Sequence, residues 1–478
     1  MRQLVRAAVS EAGFAGASYA DARIIEYAHE TVLVKNGQVG GIIHGDDRGI
    51  GVRVIADGAW GFAATADLTA DGIARAARDA VRIARAGARL AAGRIELSPL
   101  APVQAEWHSP CARDPFAVPL EEKLELLMGV DALLREPADV RVAESRVNCF
   151  RTRKYFANSD GADIVQEIVE CGGLFQATAV GNGEVQTRSF PSALEGYHAQ
   201  GGWEIVQAMD LQEGIRTIGR EAAQLLTAPL CPEGEMTVIL DGSQLALQVH
   251  ESCGHPIELD RVFGTELSLA GGSFLTPDKV GMQYGSPAVN IVADATISGG
   301  LGTFAYDDEG VPAQRTPIVT GGVFNGYLSS RETAPRLGQS SQGAMRADGW
   351  QSMPLIRMTN INLEPGTWNR ADIIADTEHG LLLQDTKSWS IDDKRLNFQF
   401  STELGWLIEN GRITGMVRNP SYQGITPVFW NSCDAVANRD AWRVWGVLNC
   451  GKGDPMQVMH VGHGASCARF RKVRVGIG

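Results

Sequence analysis

The chain has no C-x-x-C pair: its eight cysteines, at 111, 149, 171, 231, 253, 433, 450 and 467, stand singly. That is a reduced-compartment pattern, in which a chemically active Cys is a ligand or nucleophile and not half of a bridge. Runs of about 18 apolar residues are also lacking, so no membrane-spanning helix is expected. Charge interrupts the first residues, Met1-Arg-Gln-Leu-Val-Arg-Ala-Ala-Val-Ser-Glu11, before an apolar stretch forms. No secretory signal is therefore expected, and the cytoplasm is the expected location. Positive charge is scarce: 43 Lys and Arg face 56 Asp and Glu, a net −13. This argues against a nucleic-acid binder, which needs clustered cations for phosphate contacts. No G-x-G-x-x-G follows a strand and opens a helix. Gly446-Val-Leu-Asn-Cys-Gly-Lys-Gly453 nearly spells a phosphate loop, but Gly453 replaces the magnesium-binding hydroxyl and Pro455 stands where a helix should run. Nucleotide binding there is rejected. Internal repeats and low-complexity segments are absent as well.

What is present is length, glycine and short β-like runs. At 478 residues the chain exceeds one ordinary core, and 55 glycines punctuate it. Residues 2–12 read as a helix, followed by alternating runs at 17–27, 30–34, 49–55 and 60–65, the last two joined by a hairpin signal at Asp57-Gly58. A helix over 68–92 carries Arg75, Arg78, Arg82, Arg85 and Arg89 on one face. The stripe reads either as a site for an anionic partner or as a solvated face, the usual arrangement. Four prolines over 99–115 mark an extended connector, placed at about 95–118. A helix at 119–135, an antiparallel meander over 140–190 and a helix at 203–226 complete an N-terminal α+β domain, residues 1–228. The Pro/Gly segment 228–234 marks the boundary. Residues 229–478 form a second, β-rich domain, expected to be a barrel or sandwich, with strands at 299–303, 317–320, 322–328, 355–360, 380–384, 398–410 and 457–461. Arg469-Phe-Arg-Lys-Val-Arg474 alternates like a strand whose charges guard a sheet edge. Asp307-Asp-Glu-Gly310 lacks the alternating spacing of a calcium loop and reads as a turn that positions strands.

Chemistry concentrates at Val249-His-Glu-Ser-Cys-Gly-His-Pro256, which holds two of the nine histidines. In H-E-x-x-H the imidazoles lie about 40° apart around a helix and reach one ion. Here the second is one residue further on, which in a regular helix separates them by about 140°. A shared metal therefore demands a π-type insertion or a kink at Gly254. Strand 236–240 leads into this helix, Asp241 and Gln244 have the form of a capping box, and Pro256 stops it. A catalytic metal site needs a third protein ligand and an open position. Cys253, Cys433, Cys450, His460 and His463 are candidates. Cys253 shares the face of His250, whereas Cys450 has flanking glycines that allow close backbone approach, and the margin is modest. Glu251 would be the general base. Tyr306, His460 and His463 are candidates to steady an oxyanion.

These residues resemble the TldD/PmbA family of zinc metallopeptidases, in its metal-motif-bearing TldD type. The resemblance rests on Gly49-Ile-Gly-Val-Arg-Val-Ile55, Trp60-Gly-Phe-Ala63, Asp114-Pro-Phe-Ala-Val-Pro-Leu-Glu-Glu-Lys123, His250 to His255, Asp307-Asp-Glu-Gly310, Arg357-Met-Thr-Asn360, Trp406-Leu-Ile-Glu-Asn-Gly411 and Cys450-Gly-Lys452. It implies Zn²⁺ held by His250, His255 and Cys450, with Glu251 as base. It also implies a dimer with a TldE/PmbA-type paralogue or a second copy, around an enclosed cleft for unfolded or small peptides, including peptides matured after modification. The expectation is thus a zinc peptidase, its extended substrate held by strand addition. The alternative is a non-enzymatic peptide-binding or assembly protein with a structural metal, which would need a fourth protein ligand such as Cys253 or His463.

Overall fold

A computed structural model of the chain describes every residue except 92, 270, 477 and 478. The expected helix end at Ala92 therefore lies outside the described residues. The first half is built on one sheet with β1 (Tyr19–Lys35), β2 (Gln38–Ala56), β3 (Ala59–Thr65), β4 (Gln104–His108), β5 (Val140–Asn158), β6 (Asp163–Gly181), β7 (Glu184–Phe190) and β8 (Tyr197–Gln200). The order is β3-β2-β1-β5-β6-β4, with β7 and β8 also paired to β6. Asp57 and Gly58 both have positive φ, as a two-residue hairpin turn that matches strand twist requires. The runs 17–27 and 30–34 are one strand, because Ala28 and His29 pair with β2 on one side and β5 on the other.

Helices α1 (Arg2–Phe14) and α2 (Ala70–Ala88) pack Val5, Ala8, Ile73, Ala77 and Val81 with Ile24, Val52 and Val54 of the sheet. The arginine stripe faces solvent: Arg75, Arg78 and Arg82 pair with Asp67, Glu11 and Asp79, the ordinary solvated arrangement. A second cluster joins α3 (Leu120–Leu134) to Val32, Val147 and Phe175. Two expectations need correction. The connector is not wholly unpacked, since β4 pairs in parallel with β6 from Gln104↔Asp163 to His108↔Glu167. The helix expected over 203–226 is two, α4 (Glu204–Gln207) and α5 (Leu211–Leu225), because Asp210 caps a new helix by accepting from the Glu213 amide.

The second half is organised by a closed barrel. After β9 (Gly234–Leu240) and α6 (Gly242–Val249) come short strands β10 (Ile291–Asp294), β11 (Arg315–Thr320), β12 (Val323–Phe324), β13 (Met345–Arg346), β14 (Leu355–Ile356) and β15 (Ile361–Leu363). Then follow β16 (His379–Ile391), β17 (Asn397–Glu409), β18 (Arg412–Val417), β19 (Ser421–Ile425), β20 (Cys433–Val436), β21 (Arg443–Lys452), β22 (Gln457–Ala465) and β23 (Ala468–Val475). The path β16-β9-β23-β19-β17 closes on itself through β16–β17 pairing, which realises the barrel option and removes free edges along that ring. β23 is therefore no edge strand. It lies between β9 and β19, and Arg469 is neutralised by Asp434 and Asp376. Residues 299–303 are turn and not strand, because the Gly302 amide donates to the Asn360 side chain, 2.9 Å away, instead of to a neighbouring strand.

Every residue of α6 is buried. At eight residues it would be marginal alone, so packing holds it. Leu245, Leu247 and Val249 lie in the same core as Val238, Leu383, Phe400 and Phe470, and each contributes about 1.5–3 kcal/mol. Its polar side chains share a buried network: Gln244 donates to the Tyr422 hydroxyl, which donates to Gln248, and Thr386 donates to Gln244. The expected capping box is accordingly only half made. Asp241 caps through the Gly242 amide, but Gln244 is committed to Tyr422 and Thr386.

Candidate metal centre

The helix that opens at Asp241 changes pitch where the wide histidine spacing demands it. Residues His250–Gly254 form a π-turn, closed by the His255 amide donating to the His250 carbonyl five residues back, and His255–Ile257 tighten into a 3₁₀ turn at Pro256. Residues five apart therefore stack on one face. The π-turn is locked by its surroundings: Tyr284 donates to the Ser252 carbonyl and Trp430 to the Ser252 hydroxyl, both at 2.9 Å. A Cβ on Gly254 would lie 2.2 Å from the Met358 sulfur, so only glycine allows that close approach.

The distortion brings both imidazoles to one point. Their ring centroids are 4.8 Å apart and nearly perpendicular. The third group arrives from the β21–β22 hairpin, where a bulge between Val447 and Cys450 turns the Cys450 thiol inward. The donor atoms of His250, His255 and Cys450 lie within 4.8 Å of one another, all three residues buried. His255 Nε2 and Cys450 Sγ are 4.0 Å apart, which two zinc bonds of about 2.0 and 2.3 Å can span. Two imidazoles and a thiol suit zinc, and among the described residues no fourth His, Cys, Asp or Glu joins the set.

Hydrogen bonds fix which nitrogen each ring presents. The Ile361 carbonyl, 3.1 Å from His463 Nδ1, can only accept, so His463 is protonated at Nδ1 and its Nε2 accepts from His250 Nδ1, 2.7 Å away. That leaves the His250 Nε2 lone pair for a metal. His255 Nδ1 faces the Glu258 carboxylate at 3.2 Å, which likewise leaves its Nε2 open. Such outer partners orient metal-binding histidines. Glu258 is tied to Arg261 at 3.0 Å and Lys452 at 3.4 Å. Burial opposes its charge, but Lys452 and then His255 hold it well below the usual carboxylate range. Lys452 lies two residues after Cys450 and also donates to Asp260, so the strand that supplies the thiol is anchored to the segment after the histidines.

Burial likewise opposes the Cys450 thiolate, yet Arg357, followed by His255, holds the thiol below its ordinary value. Burial pushes His250 down, which favours the neutral ring a metal requires. Glu251 is buried against burial's own effect: His250, then Arg395, hold it below its usual value and hence ionised. Arg395 Nη1 pairs directly with Glu251 Oε2. The pocket beside these groups, about 310 Å³, is lined also by Leu194, Leu247, Leu269, Trp389, Val447 and Asn449.

The other candidates lie elsewhere. Burial pushes both Cys253 and Cys433 up to about 12, with Cys253 beside Tyr284 and Cys433 against its own strand, so both are core thiols. His460 is paired with Glu170 at 2.5 Å and, with Tyr306, lines a separate cavity between the two halves of the chain. His463 serves His250 and does not face the pocket. Arg395 and Glu258 were missed by the sequence reading. Glu258 could have been found as a carboxylate three residues after His255, on the same helical side; Arg395, 144 residues from Glu251, carries no local signal.

The chain matches known proteins along nearly its whole length. Residues 20–84 match the model of PmbA/TldA metallopeptidase domain 1, residues 113–230 that of the central domain and residues 233–476 that of the C-terminal domain. The chain is 30% identical over 458 residues to a metalloprotease of Methanothermobacter thermautotrophicus, covering 96% of this chain and 95% of that protein. A metalloprotease of Methanocaldococcus jannaschii is 29% identical over 452 residues, 94% of this chain and 95% of the relative. In fold the chain is similar to the crystal structure of TldE from Thermococcus kodakarensis, with a TM-score of 0.74 at 16% identity over 99% of both chains. From the pitch change at His250 to the hairpin that carries Cys450, and across all three matched regions, the chain belongs to the TldD/PmbA family of metallopeptidases.

Proposed function

We propose that the chain is a zinc-dependent peptidase acting on unfolded or small peptides, including peptides matured after modification. Its chemistry is assigned to residues 229–478, with residues 1–228 in support. The observation that carries this reading is the π-turn that sets His250 and His255 against Cys450 with Glu251 in between. His250, His255 and Cys450 would hold the ion, which when bound supplies a Lewis acid that activates water and polarises a carbonyl.

The residues of the chain do the rest. Glu251, ionised and on the pocket wall, takes the proton of the attacking water and returns it to the leaving amine. Leu194, Leu247 and Val447, all buried, exclude bulk water from their side of the pocket, which strengthens the polar contacts there. An extended substrate is held by strand addition, which selects unfolded chains. Assembly with a TldE/PmbA-type paralogue or a second copy encloses the cleft in the cytoplasm. The structural-metal alternative needs a fourth protein ligand, and the engagement of His463 by His250 together with the open pocket weighs against it.

The test is metal analysis of the protein purified with its native partner, beside Glu251→Gln. One zinc per chain and a fall in casein hydrolysis of about 10²–10⁴-fold with zinc retained are expected. Absence of stoichiometric zinc, or unchanged hydrolysis in Glu251→Gln, would overturn the reading.

A further inference from the structure

We propose that Arg395 is a catalytic residue of this site, whose guanidinium binds the oxygen of the scissile carbonyl as it becomes an oxyanion. The proposal rests on the peptidase reading above.

Among the described residues that line the pocket, Arg395 is the only Lys or Arg. Its side chain is 7% exposed, it touches Glu251 through Nη1, and its Nε is buried with no partner. A buried guanidinium NH without an acceptor costs of the order of 1–3 kcal/mol, and on this pocket wall it is free to donate to a ligand that enters.

The backbone is built to deliver this side chain. Arg395 sits in the turn between β16 and β17 with φ +63, a left-handed conformation that L residues other than glycine, asparagine and aspartate seldom adopt. The turn is pinned from three sides. The Asp392 carboxylate accepts from the amides of Lys394, Leu396 and Asn397. The Thr426 hydroxyl donates to the Arg395 carbonyl at 2.9 Å. The Phe274 amide donates to the Lys394 carbonyl at 2.9 Å. Strain held by so many contacts and aimed at a general base is characteristic of functional sites.

Position then gives the role. Glu251 must touch the attacking water, so a guanidinium on Glu251 lies within a few ångströms of the carbon under attack. The water oxygen bonds to that carbon while the carbonyl π pair moves onto its oxygen, and Glu251 takes the water's proton. Arg395 donates to the new oxyanion, and its charge, on a side chain only 7% exposed, is worth more there than in water. When the C–N bond breaks, the pair returns to form the carbonyl, and Glu251 passes its proton to the amine nitrogen. The groups suggested by sequence for this task, Tyr306, His460 and His463, are all directed elsewhere.

The experiment uses the zinc-loaded complex, with Arg395→Gln and Arg395→Lys. Casein hydrolysis should show kcat lowered about 100-fold in Arg395→Gln, KM changed less than about threefold, zinc content unchanged and partial recovery in Arg395→Lys. The second readout is binding of N-phosphoryl-Leu-Ala, whose tetrahedral oxygens mimic the intermediate, against N-acetyl-Leu-Ala. In the Glu251→Gln background, Arg395→Gln should still lower the preference for the phosphoryl form by about tenfold or more, the remainder belonging to the bound ion. If that preference depends on Glu251 alone, or if kcat stays within about threefold of wild type, Arg395 only holds Glu251 and the inference fails. If the unaltered protein has neither casein hydrolysis nor phosphoryl preference, the peptidase reading fails, and this inference with it.

Discussion

Two of the buried polar clusters among the described residues are satisfied in opposite ways. In the seam between the halves, Asp307, Asp308 and Glu309 have both oxygens of each carboxylate occupied. Asp307 accepts from the amides of Glu309, Val311 and Met345; Asp308 from Lys154 at 2.5 Å and the Ala347 amide; Glu309 from Arg53 and the Arg331 amide. In the metal pocket, the outward nitrogens of both histidines are satisfied while Nε2 of each and Cys450 Sγ point at one another. A buried network that closes on itself holds structure together. One that leaves three lone pairs converging is complete only with a cation.

The sharpest test of that contrast is Asp308→Ala. It strips the partner from Lys154 and leaves Arg23, nearby and buried, less compensated. Breaking a buried pair by removing one member costs about 3–5 kcal/mol. The midpoint of chemical denaturation should fall accordingly, while zinc content per folded chain is retained. Loss of zinc in step with stability would mean that seam and pocket are one unit.

The two regions also differ in how far sequence reveals them. The π-turn was legible because the constraint is local: two histidines five apart can share an ion only if the helix loosens, and Gly254 and Pro256 permit it. Cys450 was partly legible, since flanking glycines favoured it over Cys253, which turns toward Tyr284. Arg395 was not, because an Asp-rich turn between two strands looks like any other turn until the barrel closes and carries it to Glu251. The fold follows the same rule. The long N-terminal strands were legible only in part: β1 reads as two runs, 17–27 and 30–34, and of β2 only 49–55 is buried and apolar enough to show, the half before it being exposed and glycine-rich. β23 was misread as an edge because alternating charge reports that one face is polar, not which strands pair on either side. The split between α4 and α5 was hidden because apolar period runs on through Met209, while a single aspartate decides the cap.

A smaller effect separates the pocket's outer shell from its donors. His463→Ala removes the acceptor for His250 Nδ1 without touching a donor atom, and should weaken zinc binding about 10–100-fold in a chelator competition. His463→Gln, with one acceptor and one donor, should restore part of it. Unchanged affinity in His463→Ala would show that the imidazole of His250 is set by packing alone, and that the pocket needs no ordered shell.

The most gradual effect concerns pH and belongs to the seam. His198, on β8 and 1% exposed, is pushed down from 6.5 to about 3 by burial first, and then by His460 and Arg146. It enters the fold neutral. Its folded value lies below its unfolded one, so between these limits the unfolded chain binds the extra proton. The stability His198 permits is therefore fully present above pH 6.5 and is lost as pH falls toward 3. One such group costs about 1.4 kcal/mol for each pH unit below that value, so denaturation midpoints should decline from about pH 6 downward. His198→Gln still offers an acceptor to Asn148 and cannot take up a proton. It should flatten the acid slope by close to one proton and leave zinc content at pH 7 unchanged. A slope as steep in His198→Gln as in wild type would show that His198 does not carry the acid sensitivity, which would pass to carboxylates such as Asp308, which, against burial, Lys154 and then Arg23 hold below its usual range.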